Sequence, residues 1–132
     1  MNASDAGILT QLSSGAALTA LVGTRIYCGQ APTDAALPYV VFSVQSSIDL
    51  NDSPNRTRSM LYFVRGYSED GLEVGAVDEA IDALLHHAAL SVSGWTTLWV
   101  AREQEMNLVD NPSAGYTVYM AGGMYRLILQ KN

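Results

Sequence analysis

Val22-Gly23-Thr24-Arg25-Ile26-Tyr27, then ten loop-like residues, then Pro38-Tyr39-Val40-Val41-Phe42: from this stretch the fold is read. A short helix closes on Gly23, the residue type that best tolerates the turn ending a helix. Residues 25–28 follow as a short strand. Residues 30–37 read as a loop, punctuated by Pro32 and the Thr33-Asp34 pair. Pro38 then opens a longer strand, at its first position, where a missing N–H is tolerated. The rest of the chain carries no catalytic motif, so architecture is the main functional signal.

Toward the N-terminus, Ser4 and Asp5 are expected to cap a first helix with Ile8, Leu9 and Leu12 on one side. Ser13-Ser14-Gly15 interrupts it. Ser14 is placed to cap a second short helix, in which Leu18, Leu21 and Val22 face the core. Toward the C-terminus, residues 39–48 alternate, with Val40, Phe42, Val44 and Ile48 on one face and Ser43, Gln45 and Ser47 on the other. One wet side is typical of an antiparallel sheet. Residues 49–57 are polar or proline except Leu50, and read as an exposed loop. In residues 59–67, Met60, Tyr62 and Val64 oppose Leu61, Phe63 and Tyr67. Both faces are apolar, which predicts a central strand covered on both sides, one cover coming from a neighbouring subunit.

Ser68 or Asp70 caps the main helix, and Glu69, Asp70 and Glu73 suit its positive N-terminus. Val74, Val77, Ile81, Leu84, Leu85 and Ala88 recur at helical spacing, opposite Asp78, Glu79, Asp82 and His86. The helix is expected to end near His87 or Ala88. Residues 97–106 and 117–129 are extended and joined around Asp110-Asn111-Pro112-Ser113-Ala114-Gly115, a hairpin with an ample loop. Gly122-Gly123 suggests a bulge in the last strand. The predicted class is α+β: one domain over residues 1–132, a mostly antiparallel β-sheet packed by one main helix and short N-terminal helices.

The 132 residues are 48% hydrophobic, enough for a real core. Thirteen acidic residues against seven basic ones give a formal net charge of -6. Such a surface does not attract nucleic-acid phosphates, whose binding rests on Lys and Arg releasing counterions. It suits a passage along which an anionic polymer slides without sticking. Cys28 is the only cysteine. An intramolecular disulfide is excluded, a reducing compartment is implied, and the thiol, after Ile26-Tyr27, is expected to be buried and inert. The first residues lack the pattern of a secretory signal. No segment approaches the roughly 18–20 apolar residues of a membrane helix, so no membrane partner is expected.

Asp78, Asp82 and His86 fall four apart and could in principle hold a metal. Opposite the core, they read instead as a solvated face supporting a histidinium near the helix C-terminus. His86 and His87 diverge by about 100° around the helix and do not share an ion. No nucleophile elbow or Gly-rich phosphate loop occurs. No catalytic, cofactor-binding or metal residue is therefore assigned, and no cofactor is expected. Trp95, Trp99, Tyr116, Tyr119 and Tyr125 crowd the C-terminal third; Trp99 and Tyr125 read as core, the others as core or interface alike. Residues 49–58 exceed the about 2–5 residues of a common hairpin connection and read as mobile or ordered by a partner.

Taken in order, these segments resemble the tail terminator, or tail completion, proteins of long-tailed phages. The resemblance rests on the short helix Ala16 to Val22, on Gly23-Thr24-Arg25-Ile26-Tyr27, on the Pro38-Tyr39-Val40-Val41-Phe42 opening, on the polar loop, on Val64-Arg65-Gly66-Tyr67-Ser68, and on the helix Leu72 to Leu85. It spans most of the chain. It departs at Gly66, where family members often carry an acidic or aromatic residue, and after Gly94, where only the final hairpin is similar.

The resemblance implies a non-enzymatic structural protein of the virion tail or neck, assembled in the host cytoplasm. Its subunits would form a hexameric ring that ends tail-tube polymerisation and joins the tail to the head connector. Implied partners are further copies of the chain, the tail tube protein and a head-completion or connector protein, with DNA passing the lumen without specific binding. Contacts are expected at Asp49, Asp52, Arg56 and Arg58, at Asn107, Asp110 and Asn111, and at Arg25 and Tyr27. Another neck or head-completion protein would use a similar framework. A small α+β enzyme or ligand-binding domain would need Arg102, Glu103 and Glu105. Their alternation puts Glu103 and Glu105 on one face and Arg102 on the other, which is ordinary strand polarity.

Overall fold

The structure, a computed structural model, describes residues 2–113 and 115–132. Its elements are α1 (Asn2–Ser13), α2 (Ala16–Val22), β1 (Ile26–Cys28), β2 (Tyr39–Asp49), β3 (Thr57–Ser68), α3 (Gly71–Leu85), β4 (Trp95–Ser113) and β5 (Tyr116–Lys131). The class is α+β. The strands form a sheet in the order β1-β2-β3-β5-β4. β1 runs parallel to β2, and every other neighbouring pair is antiparallel. α3 carries the chain from β3 to the far edge strand β4, and β5 returns between them: a split βαβ unit.

Alternation on β3 sorts the two faces of the sheet. Met60, Tyr62 and Val64 are fully buried and join Ile8, Leu12, Leu18, Val77 and Ile81 in one core beneath the helices. Leu61, Phe63, Arg65 and Tyr67 point the other way and remain half-buried. Among the described residues no helix covers that second face. Gly66 shows how close α3 lies on the first: a Cβ there would stand 2.5 Å from Val77 Cγ1. The expected central strand is thus in place, with the expected helix cover on one side.

Several local expectations are corrected. α1 begins at Asn2, so Ser4 and Asp5 lie inside it rather than capping it. Ser4 Oγ is 2.6 Å from Tyr62 Oη, which donates to Asp5 Oδ1 at 2.6 Å. Those residues anchor α1 to the central strand, while Leu9, expected in the core, is 40% exposed. Gly15, not Ser14, precedes α2 and lends no side-chain cap; Ser14 Oγ turns back to the Gln11 carbonyl. Asp70 caps α3 as expected, accepting from Leu72 N at 2.9 Å. α3 stops at Leu85, two to three residues early, and His87 takes a positive φ of 58°.

β2 also departs from simple alternation. A bulge between Val44 and Ser46 shifts the register, because one extra residue reverses which face the following side chains occupy. Ile48 therefore pairs with Ser59 on the open face and is 55% exposed, and Val44 is 39% exposed. The bulge expected at Gly122-Gly123 is absent: β5 pairs with β3 without a shift. The irregularities lie in β4, between Thr97 and Trp99, Arg102 and Gln104, and Asp110 and Ser113. The glycines serve close approach instead. A Cβ at Gly123 would meet Arg102 Nε at 2.6 Å, and one at Gly122 the Val64 carbonyl oxygen at 2.5 Å.

Candidate functional site

The loop after β2 is tied by its own side chains. Asp49 accepts from Arg56 Nε at 2.8 Å, with Arg58 Nη2 at 3.9 Å. Asp52 accepts from Thr57 N at 2.8 Å and from Thr57 Oγ1 at 2.7 Å. Both carboxyl groups are held below their ordinary pKa. For Asp49 the Asn51 N–H comes first and the Arg56 guanidinium next; for Asp52 the Thr57 hydroxyl leads. Asp49, Arg56 and Arg58 meet, Asp52 bonds to Thr57 instead, and the loop, expected to be mobile or ordered by a partner, is tied from within.

Asn107, Asp110 and Asn111 are exposed but belong to β4 rather than to a loop. Where an ample loop was expected, β4 runs on to Ser113 and β5 begins at Tyr116; Ala114 lies outside the described residues. Leu108 and Val109, between these polar residues, are each 57% exposed on this edge strand. The first loop adjoins Thr57, and the hairpin end adjoins Ser68, which pairs with Tyr119. These are the two ends of the twelve-residue β3, about 36 Å apart at about 3.3 Å per residue. The expected contact residues of the first loop and of the hairpin therefore lie at opposite ends of the sheet.

Arg25 and Tyr27 sit at the β1 edge. Arg25 Nε donates to the Pro38 carbonyl at 2.8 Å, fixing the turn into β2. The Tyr27 ring meets Tyr39 edge-on at 5.9 Å, and Tyr39 meets Tyr67 at 5.2 Å. This tyrosine row borders Arg65, whose guanidinium stands 4.5 Å from the Phe63 ring centroid and donates to Tyr67 Oη at 3.1 Å and Ser43 Oγ at 3.1 Å. A concavity of about 410 Å³ opens above Arg65, walled by Gly29, Pro32, Tyr39 and Tyr67. Of this group only Tyr27 was singled out from the sequence; Arg65, Tyr39 and Tyr67 were not. Their signal was there in the double-sided apolar pattern of β3, where one arginine interrupts the second face. Cys28, expected to be buried, is exposed. Partial desolvation and then the Asp5 carboxylate raise its thiol pKa, which opposes nucleophilic reactivity.

The remaining polar cluster lies under α3. Arg102 donates through Nη1 to Asp78 Oδ2 at 3.1 Å and through Nη2 to Asp78 Oδ1 and to Tyr125 Oη at 2.7 Å. Tyr125 donates to Asp82 Oδ1 at 3.1 Å, and His86 Nδ1 accepts from Arg102 N at 3.1 Å. Asp78 is thus buried, where a solvated face was expected; Asp82 is half-buried, and His86 is exposed as expected. Desolvation is the largest single influence on Arg102 and opposes its charge, but the hydrogen bonds and charges of Asp78 and Tyr125 together outweigh it and leave the guanidinium pKa raised; burial leads the rise at Tyr125. The bulge after Arg102 also separates the two glutamates. Glu103 meets Arg126 on the open face at 3.0 Å, whereas Glu105 stands in register with Gly123 on the helix side. Arg102, Glu103 and Glu105 thus do not converge. Among the described residues no group of three or more His, Cys, Asp or Glu could hold a metal ion, and no helix is long and apolar enough to cross a membrane. Trp99, expected in the core, is 43% exposed, while Trp95 is nearly buried between Arg58 and Lys131.

Comparison with known proteins adds a family. A model of the family described as Tail completion protein gp17 matches residues 6–119. Among curated protein sequences nothing matches. Among solved structures, a chain from the virion of a native gene transfer agent particle shares the fold with a TM-score of 0.81, at 19% identity, over 95% of this chain and 92% of that one.

Proposed function

The chain belongs to the Tail completion protein gp17 family, and from that premise we propose that this structural protein of a phage tail forms a closed ring, hexameric, that ends tail-tube polymerisation. The observation that carries the reading is the uncovered second face of the sheet, with Leu61, Phe63 and Tyr67 half-buried beside Met124 and Ile128. A soluble monomer rarely leaves so broad an apolar surface open. A repeated copy of the chain is the simplest cover, and head-to-tail contacts close into rings when the rotation permits.

The two polar groups at opposite ends of β3 support contacts on two sides of such a ring. One end would meet the tail tube protein and the other a head-completion or connector protein. The net charge of -6 suits a lumen through which DNA passes without sticking. We take residues 1–132 to act as one domain in this role.

Mass measurement in solution, followed by electron microscopy with tail tubes, tests the proposal. A closed oligomer, alone or at tube ends, is the expected result. A chain that stays monomeric and binds neither tubes nor connector protein overturns it. Binding to connector alone would move the protein to another layer of the neck. Deleting residues 51–55 should impair tail completion and leave the fold intact; normal tails would refute the contact assignment at that loop.

A further inference from the structure

We infer that the open sheet face of one copy is covered by the outer face of α3 from the next, with Arg65 meeting Glu79 across the interface. The inference rests on the ring reading above and names the surfaces that such a ring would use.

Charge complementarity singles out these two residues. Arg65 sits near the middle of the open face among Tyr39, Phe63 and Tyr67, and among the described residues no carboxylate lies within ion-pair distance of it. Its contacts are neutral: a tyrosine hydroxyl, a serine hydroxyl, a carbonyl and an aromatic ring. A guanidinium held in that way presents its fork to a carboxylate from outside. On α3, residues 74, 77, 78, 81 and 85 face the core. Leu72, Ala76, Glu79 and Ala83 share the opposite side, and all are exposed. Leu72 is 87% exposed, the highest value among the described large hydrophobic residues. Among the described residues Glu79 has no ion-pair or hydrogen-bond partner. The α3 outer side thus offers one free carboxylate and one apolar knob to a face that holds one free cation in an apolar bed.

Geometry agrees. The subunit has two layers, helices and sheet, so stacking the helices of one copy on the sheet of the next repeats the same helix–sheet packing across the boundary. The two contact patches lie on opposite sides of the subunit and do not overlap. Such an interface is heterologous, and it propagates head-to-tail as a ring requires. Four strands of eleven or more residues at about 4.8 Å spacing leave room for α3, which at fifteen residues and about 1.5 Å per residue is about 22 Å long. The α1–α2 side is a weaker candidate: its Asp5 is already engaged by Tyr62.

The test is a charge swap read by mass photometry, with and without tail tubes. Arg65→Glu and Glu79→Arg should each lower the assembled fraction at least tenfold, and the double variant should recover most of it. Circular dichroism confirms that each chain is folded. Leu72→Ser, at a side chain that supports nothing within the subunit, should give the same loss without touching the sheet. Oligomers that persist in both single variants overturn this interface and leave the ring reading standing. Loss in both singles with no recovery in the double overturns the pairing. A wild-type chain that never assembles overturns the ring itself.

Discussion

Arg102 of β4 and Asp78 of α3 form a two-pronged ion pair beneath the helix layer, and Gly123 lies opposite, where any side chain would strike the guanidinium. The pair fastens the far edge strand to the helix that precedes it. Tyr125 and Asp82 extend the network, so the edge strand is held by charge as well as by the ladder.

Removing one partner leaves the other desolvated and uncompensated. Asp78→Ala should cost about 3–5 kcal/mol in urea unfolding, whereas Asp78→Leu combined with Arg102→Met should cost far less. Equal losses in the single and double variants would show that the pair itself is not what matters.

Gly66 sits under α3 where no Cβ fits. Gly66→Ala should destabilise by about 1–3 kcal/mol through overpacking. Adding Val77→Ala to that chain should return part of the loss, because the blocking atom is Val77 Cγ1. Thermal unfolding of the three chains decides; an unchanged midpoint for Gly66→Ala would refute the close packing.

Acid should loosen the loop after β2 before the core. Asp49 and Asp52 have pKa values below the ordinary 3.8. Groups depressed in the folded state stabilise it above their unfolded pKa, and that contribution fades as pH falls through the folded one. Hydrogen exchange of residues 50–56 should thus be flat from pH 7 to pH 5, after correction for intrinsic rates, and rise below about pH 4. Asp52→Ala should show the fast behaviour at every pH.

The two tryptophans should report separately. Trp95, 9% exposed, should resist acrylamide, while Trp99, 43% exposed and on the open side of the sheet, should be quenched readily. Single Trp→Phe variants separate the signals. On assembly through the open face, Trp99 should become protected and Trp95 unchanged; the reverse would place the contact elsewhere.

Much of the framework was legible because it rests on local rules. Gly23, Pro38 and Asp70 set element boundaries, and Val74, Val77 and Ile81 set the buried side of α3. What failed depended on tertiary context. Ser4 was read as a cap because nothing local reveals a tyrosine 58 positions away. Asp78 was read as solvated because it lies on the flank of the apolar stripe, and its partner Arg102 belongs to a strand whose bulge reverses the expected facing. Arg65 escaped notice because its significance is the absence of a counter-charge, which only assembled strands disclose. Of the expected contact residues, Asp52, Arg56, Asn107, Asp110 and Asn111 are exposed, whereas Asp49 and Arg58 are half-buried by their own pairing; Asn107, Asp110 and Asn111 belong to a strand because pairing with β5 continues almost to the turn.

The placement of β5 between β3 and β4 also fixes the order in which the molecule can come together. Thr57 pairs with Gln130, and Ser68 with Tyr119, so the middle of the sheet joins the central strand to β5, which is made only after α3 and β4. Until β5 has left the ribosome, β3 has only one neighbour and α3 has half a floor. Contacts so distant in sequence form slowly. A nascent chain ending at residue 113 should therefore remain protease-sensitive, whereas the full chain resists. The subunit would become competent to assemble in a single late step, which keeps its apolar sheet face from being offered to partners while synthesis is still under way.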